Sequence, residues 1–142
     1  MYTVKEVCSL TGIPYHTLKY YCNEGILPQI HRDAANRRIF DEKNVGWIQD
    51  VLTLRSFQMS IQEMRSFTRL CLEGEATIPE RMKMLDERER SIREEQKKLE
   101  AALEALQKTR QEYEDILAGK IPYECHLHPE SQESDEPLQR PF

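Results

Sequence analysis

Between Ile78 and Leu117 the chain has no glycine and no proline except Pro79, and one apolar residue recurs every seven positions: Leu85, Ile92, Leu99, Leu106 and Tyr113. Pro79 falls in the first turn, where its missing N–H breaks no helical hydrogen bond. Companion positions are mixed, apolar at Met82, Leu103 and Leu117 but polar at Glu89, Gln96 and Arg110. This spacing predicts one uninterrupted helix, opened by a capping box from Thr77 to Glu80. A helix of roughly 40 residues is about 60 Å long, more than a small domain can cover. Its stripe, with Leu85, Ile92, Leu99, Leu103, Leu106, Tyr113 and Leu117 as interface residues, is therefore expected to be buried against a second copy as a homodimeric coiled coil. A solvated, charge-rich single helix is the competing reading, and seven-residue spacing over this many turns weighs against it.

The remainder of the 142 residues has room for one compact domain, so the expected organisation is residues 1–76, 77–118 and 119–142. Thr3 is a candidate N-cap for a first helix with Val4, Val7 and Cys8 inward and Gly12 as its stop. Pro14 opens a second. Wound at about 3.6 residues per turn, that second helix puts Leu18, Tyr21 and Cys22 on one face and His16, Lys19, Tyr20 and Asn23 on the other. One face is a core seam and the other a row of hydrogen-bond donors with a cation, suited to phosphates and base edges. Two short helices joined around a glycine form a helix-turn-helix pattern, the second being the recognition helix.

From Gln29 to Phe40 the apolar residues are too sparse for a helix face, and Asn36 suits a left-handed turn tip. A two-stranded basic wing is expected there. Asp41 caps the next helix, with Val45, Ile48, Val51, Leu52 and Leu54 at helical spacing and Trp47 alongside. Ser60 to Glu63 is a second S-x-x-E box, opening a helix with Ile61, Met64, Phe67, Thr68 and Cys71 inward and Gly74 as its end. The fold class expected is mainly all-α: a winged helix-turn-helix domain followed by a long dimerisation helix.

Net charge is −5, which at first argues against nucleic acid. The acid is concentrated after Thr77, however, and residues 1–40 carry Lys5, Lys19, Arg32, Arg37 and Arg38 against only Glu6, Glu24 and Asp33. Phosphate binding depends on the charges that face the duplex rather than on the sum. Arg37 and Arg38, paired on a turn beside the recognition helix, read as phosphate clamps rather than solvated loop charges. His16, opposite Leu18 and Cys22, reads as exposed and in contact with DNA rather than as a core histidine. Tyr20 is the DNA candidate of its pair and Tyr21 the core one.

No apolar run follows Met1, so neither a signal peptide nor a membrane span is expected, and the expected compartment is the cytoplasm. Cys8, Cys22, Cys71 and Cys125 lie far apart without a C-x-x-C pair, which fits reduced thiols. The first three lie on apolar stripes and read as small hydrophobes. Cys125, His126 and His128 stand together in C-H-L-H after the long helix, a candidate for a soft divalent metal such as zinc or for an electrophile-sensitive thiol acidified by protonated histidine, against the default of an ordinary tail. From Ser131 the composition is that of a disordered acidic tail. No nucleophile-base pair, phosphate loop or full metal signature can be assembled, so the chain is not expected to be an enzyme and no cofactor is required.

The order of these elements, with T-V-K-E-V, T-G-I-P-Y-H-T-L-K-Y-Y-C-N-E-G-I-L, N-R-R-I-F and R-S-F-Q-M-S-I-Q-E-M, closely resembles the MerR family of bacterial transcription regulators over about Tyr2 to Ala118. L-E-G-E-A-T-I-P-E-R-M-K-M-L-D-E-R-E-R is similar to the branch that responds to aldehydes and other thiol-reactive electrophiles, although Thr53 stands where that branch has its reactive cysteine. The resemblance implies a homodimer with an antiparallel coiled coil, bound to an inverted repeat in double-stranded promoter DNA whose spacer is too long for efficient initiation. It also implies that the dimer distorts that DNA so that bacterial RNA polymerase can engage. Tyr15, His16, Lys19 and Tyr20 would meet base edges or backbone, and Arg32, Arg37 and Arg38 phosphates. In metal-sensing members the loop holding Cys125 is completed from the partner subunit, for which Cys71, Glu73 and Glu75 are the nearest donors here. The chain departs from the family at Lys19, usually Arg, at Asn36 and Phe40, commonly Gly and Tyr, and at Gln58, often the Gly that ends the third helix. A coiled-coil interaction scaffold that binds protein rather than DNA is the alternative function.

Overall fold

In a computed structural model, residues 1–128 are described. A short strand β1 (Tyr2–Thr3) runs into α1 (Val4–Thr11), then α2 (Tyr15–Asn23), the strands β2 (His31–Arg32) and β3 (Arg38–Phe40), α3 (Glu42–Ser56) and α4 (Ile61–Glu73). A single 3₁₀ turn, Glu75–Thr77, leads into α5 (Ile78–Leu117). The chain is mainly helical with a small wing, as its sequence predicts.

Local chemistry sets most of the boundaries. Thr3 caps α1 reciprocally with Glu6, which accepts from the Thr3 amide at 2.7 Å, and Gly12 ends the helix at φ +76°. Asp41 caps α3 in the same reciprocal way with Asn44. Ser60 accepts from the Glu63 amide at 3.1 Å, but the carboxylate of Glu63 turns to Arg88 on α5, 3.7 Å away, so the second half of the expected box is not printed in the fold. The Thr77 to Glu80 box does not form. Thr77 donates instead to the carbonyls of Leu70 and Gly74 and accepts from Arg81, so its hydroxyl closes the end of α4 rather than the start of α5.

The expected two-stranded wing is a three-stranded antiparallel sheet in the order β1-β3-β2. Tyr2 pairs with Phe40 and Thr3 with Ile39, while His31 and Arg32 pair with Ile39 and Arg38. β1 ties the start of the chain to the wing and is reinforced by the Tyr2 hydroxyl, which donates to Glu42.

One core lies between α1, α2, α3, α4 and β3. Val7, Ile13, Leu18, Ile26, Phe40, Ile48, Val51 and Met64 are essentially inaccessible, and the indole N–H of Trp47 donates to the Ile26 carbonyl at 2.9 Å. Thr17 and Leu70, not anticipated as inward, are also buried. Among the described residues no buried side-chain nitrogen or oxygen lacks a partner, as folded interiors require.

Residues 1–95 form one compact unit and residues from 96 onward a second. The first turns of α5 thus group with the N-terminal helices rather than dividing from them at residue 77. Arg81 reaches the Gly74 carbonyl at 3.1 Å and the sulfur of Cys71 at 3.5 Å, and Arg88 donates to the Gln58 carbonyl at 2.8 Å. Further along α5, Leu99, Leu103, Leu106 and Tyr113 are about half exposed or more and Leu117 is 87% exposed, with Leu85 at 36% and Ile92 half-buried. The seven-residue stripe is uncovered by its own chain.

Gln58 adopts φ +61°, a left-handed conformation in which a Cβ costs about 1 kcal/mol relative to glycine. Its hydrogen bonds to Arg55 and Arg88 use the backbone only and would survive the loss of the side chain. Gln58→Gly is therefore expected to stabilise the fold by about 1 kcal/mol, read as a higher urea midpoint at unchanged slope and fixed protein concentration; an equal or lower midpoint would refute the strain.

Candidate nucleic-acid interface

The nine residues of α2 are held by burial of one side only. Leu18 and Tyr21 sit in the core at 1% and 4% exposure, with Thr17 beside them, so the opposite side of the helix must face out. Tyr15, His16, Lys19, Tyr20 and Asn23 are all exposed. Tyr20 and Tyr21 point apart as adjacent helical residues must, with ring centroids 6.1 Å apart at 43°.

The wing turn is built around one carboxylate. Asp33 accepts from the amides of Ala35 and Arg37 through Oδ1, at 3.0 and 2.9 Å, and from Arg37 Nε through Oδ2 at 2.9 Å. Those bonds, led by the Arg37 amide and aided by the guanidinium charge, hold the Asp33 carboxyl below the ordinary carboxylate range. Asn36 turns the chain at φ +60°, and its carbonyl accepts from Arg32 at 2.8 Å. Arg38 crosses to the recognition helix and donates to Asn23 Oδ1 at 2.7 Å. At the base of the wing His31 lies 3.7 Å from Asp41.

These groups border one open cleft of about 390 Å³ between α1, α2 and the wing. Tyr15, Lys19, Arg32, Arg37 and Arg38 all line it, together with Lys5 of α1. His16 and Tyr20 share the exposed face of α2 but lie outside the cleft lining. Three of the expected cations are already engaged, Arg32 with a carbonyl, Arg37 with Asp33 and Arg38 with Asn23. Sequence reasoning missed the organising part of Asp33, although aspartate bonding to amides two and four residues on is the ordinary signal of such a turn.

The thiols divide by environment. Burial pushes Cys8 up, and Cys22 up against the opposing influence of Arg38 and Arg32, as expected of cysteines on apolar stripes. Cys125 is lowered, but its first cause is the backbone N–H of Leu127, followed by the Tyr123 hydroxyl and then the His128 amide. Acidification by a protonated histidine side chain, the expectation from C-H-L-H, is not what the geometry shows. The His128 ring instead meets Tyr123 edge-on, with centroids 5.8 Å apart. Among the described residues no three His, Cys, Asp or Glu side chains converge as metal ligands, so Cys125, His126 and His128 do not close a metal site within one chain. Thr53, on the exposed side of α3, donates to the Gln49 carbonyl at 3.1 Å.

A donor-bearing helix held outward beside a basic wing defines a winged helix-turn-helix DNA-binding protein. Residues 2–70 match the family model for MerR HTH family regulatory proteins. The chain belongs to that family of transcription regulators. It is 28% identical over 92 residues to an uncharacterized HTH-type transcriptional regulator of Haemophilus influenzae, a match covering 65% of this chain and 68% of that one. It is 32% identical over 90 residues to the HTH-type transcriptional regulator AdhR of Bacillus subtilis, covering 63% of this chain and 64% of AdhR. Its fold is similar to the crystal structure of HiNmlR, a MerR family regulator lacking the sensor domain, bound to promoter DNA: TM-score 0.66, 26% identity, 82% of this chain and 93% of that one. Among the described residues no helix is long and apolar enough to cross a membrane.

Because the thiolate is the reactive form and access gates it, Cys125 is expected to alkylate faster than Cys8 or Cys22 near neutral pH. Timed iodoacetamide labelling with peptide mass spectrometry measures this, and Cys8 or Cys22 reacting first would contradict the assignment.

Proposed function

We propose that two copies of this chain pair through α5, bind an inverted repeat in promoter DNA and distort it so that bacterial RNA polymerase can engage. The observation that carries this reading is the single cleft shared by the outward face of α2 and the basic wing, joined by the bond from Arg38 to Asn23. That bond sets the wing against the recognition helix, so that helix and wing can engage the same duplex, one at base edges and the other at phosphates. Bending or untwisting a site costs on the order of several kcal/mol, which contacts from both copies must offset. The DNA-bound state of HiNmlR supports the DNA partner. The uncovered stripe of α5 supports the second copy.

With two α5 helices antiparallel, the seven-residue spacing is symmetric about Leu99, and Leu85 of one copy would face Tyr113 of the other. In a background without the native cysteines, Leu99→Cys is then expected to form a disulfide-linked dimer while Leu85→Cys does not. Efficient linkage at both positions would indicate parallel strands, and linkage at neither would count against the coil. Cys125, with His126 and His128, is the candidate effector segment, and zinc or a thiol-reactive aldehyde added to footprinting reactions tests it.

Lys19 supplies a point charge where no hydrogen bond to the rest of the chain restrains it. Lys19→Ala is expected to weaken binding to the DNA upstream of the chain's own gene by about tenfold, on the order of 1–3 kcal/mol, with the dimer intact by sedimentation. Affinity unchanged within twofold would overturn the assignment of α2 as the reading helix.

A further inference from the structure

We propose that Lys5, in the first turn of α1, is an additional DNA-backbone contact that meets a phosphate from the side of the cleft opposite the wing. The inference rests on the DNA-binding reading above and extends the contact surface from α2 and the wing to α1.

Lys5 borders the same cleft as Tyr15, Lys19 and the wing arginines. The cations there are not equally available. Arg37 is held by Asp33, whose negative charge sits in the cleft with it, while Arg32 and Arg38 are hydrogen-bonded to Asn36 and Asn23. Lys5 and Lys19 form no hydrogen bond or ion pair with any described residue. A phosphate approaching Arg37 must share it with a carboxylate. One approaching Lys5 displaces only water and counterions, the exchange that drives backbone binding.

The place of Lys5 in α1 is also a poor one for the helix. A helix N-terminus carries partial positive charge and favours acids, so a cation in the first turn opposes the dipole. The first turn is stabilised by Thr3 and Glu6, which cap each other without Lys5. Its methylene stem is exposed and fills no part of the core. The residue contributes little to folding and directs its charge where a duplex backbone would lie.

The test is fluorescence anisotropy of the full-length protein on a labelled duplex from upstream of its own gene, across a series of salt concentrations. Lys5→Ala is expected to weaken binding about three- to tenfold and to reduce the slope of log affinity against log salt by about 1, the signature of one lost phosphate contact. Lys5→Arg should recover most of both. Lys97→Ala, on the exposed surface of α5, should change neither. Thermal stability of Lys5→Ala should be equal or slightly higher, because a cation leaves the helix N-terminus; a structural role would move stability and affinity down together. If the unaltered protein binds and Lys5→Ala matches Lys97→Ala in affinity and slope, Lys5 is not a contact. If the unaltered protein binds no duplex at all, the DNA-binding reading fails and Lys5 fails with it.

Discussion

The molecule depends on the one-sided burial of a nine-residue helix. α2 is too short to persist alone in water, so its position comes from Leu18 and Tyr21 entering a core shared with Val7, Ile13, Ile26 and Phe40. Burying that side leaves Tyr15, His16, Lys19, Tyr20 and Asn23 facing solvent. The wing inherits its position from the same core. Phe40 anchors β3 at zero exposure, and Arg38, two residues earlier on the same side of the strand, is thereby brought to Asn23. Recognition helix and wing are consequently two parts of one packed surface.

Charge distribution, more than total charge, makes that surface suited to a polyanion. The chain is acidic as a whole, yet the cleft gathers Lys5, Lys19, Arg32, Arg37 and Arg38 around a single carboxylate. Asp33 is there for geometry: without its bonds to Ala35 and Arg37 the wing turn would have two fewer acceptors to hold its shape. The cost of that order is one negative charge beside the cations, and the effective field at a bound phosphate depends on which cations remain available.

α5 serves two different environments along one helix. Arg81 and Arg88 fasten its first turns to the end of α4 and to the α3–α4 turn, through contacts partly shielded from water. Beyond them its apolar residues recur every seven positions with nothing from their own chain against them. Burial of such a line is a large favourable term, on the order of 1.5–3 kcal/mol for each leucine fully covered, and it is available only through a second helix.

What was legible in the sequence was local. Thr3, Gly12, Asp41, Asn36 and Gly74 each act on residues within about four positions, and helical periodicity in α2, α3, α4 and α5 reports which side of each helix faces a core. Hence the helix order, the wing and the exposed set on α2 could all be read in advance. The rest needed contacts between distant segments. β1 is two residues long, too short for an alternation pattern, and exists because β3 lies beside it. Thr77 has the spacing of a helix cap but bonds back to Leu70, a choice made by how α4 ends. Glu63 leaves its own helix for Arg88, and Lys5 reaches the cleft because α1 packs beside the wing. Short-range hydrogen bonding is written in adjacent residues, whereas the destination of a long charged side chain is decided only when packing brings its partners within reach.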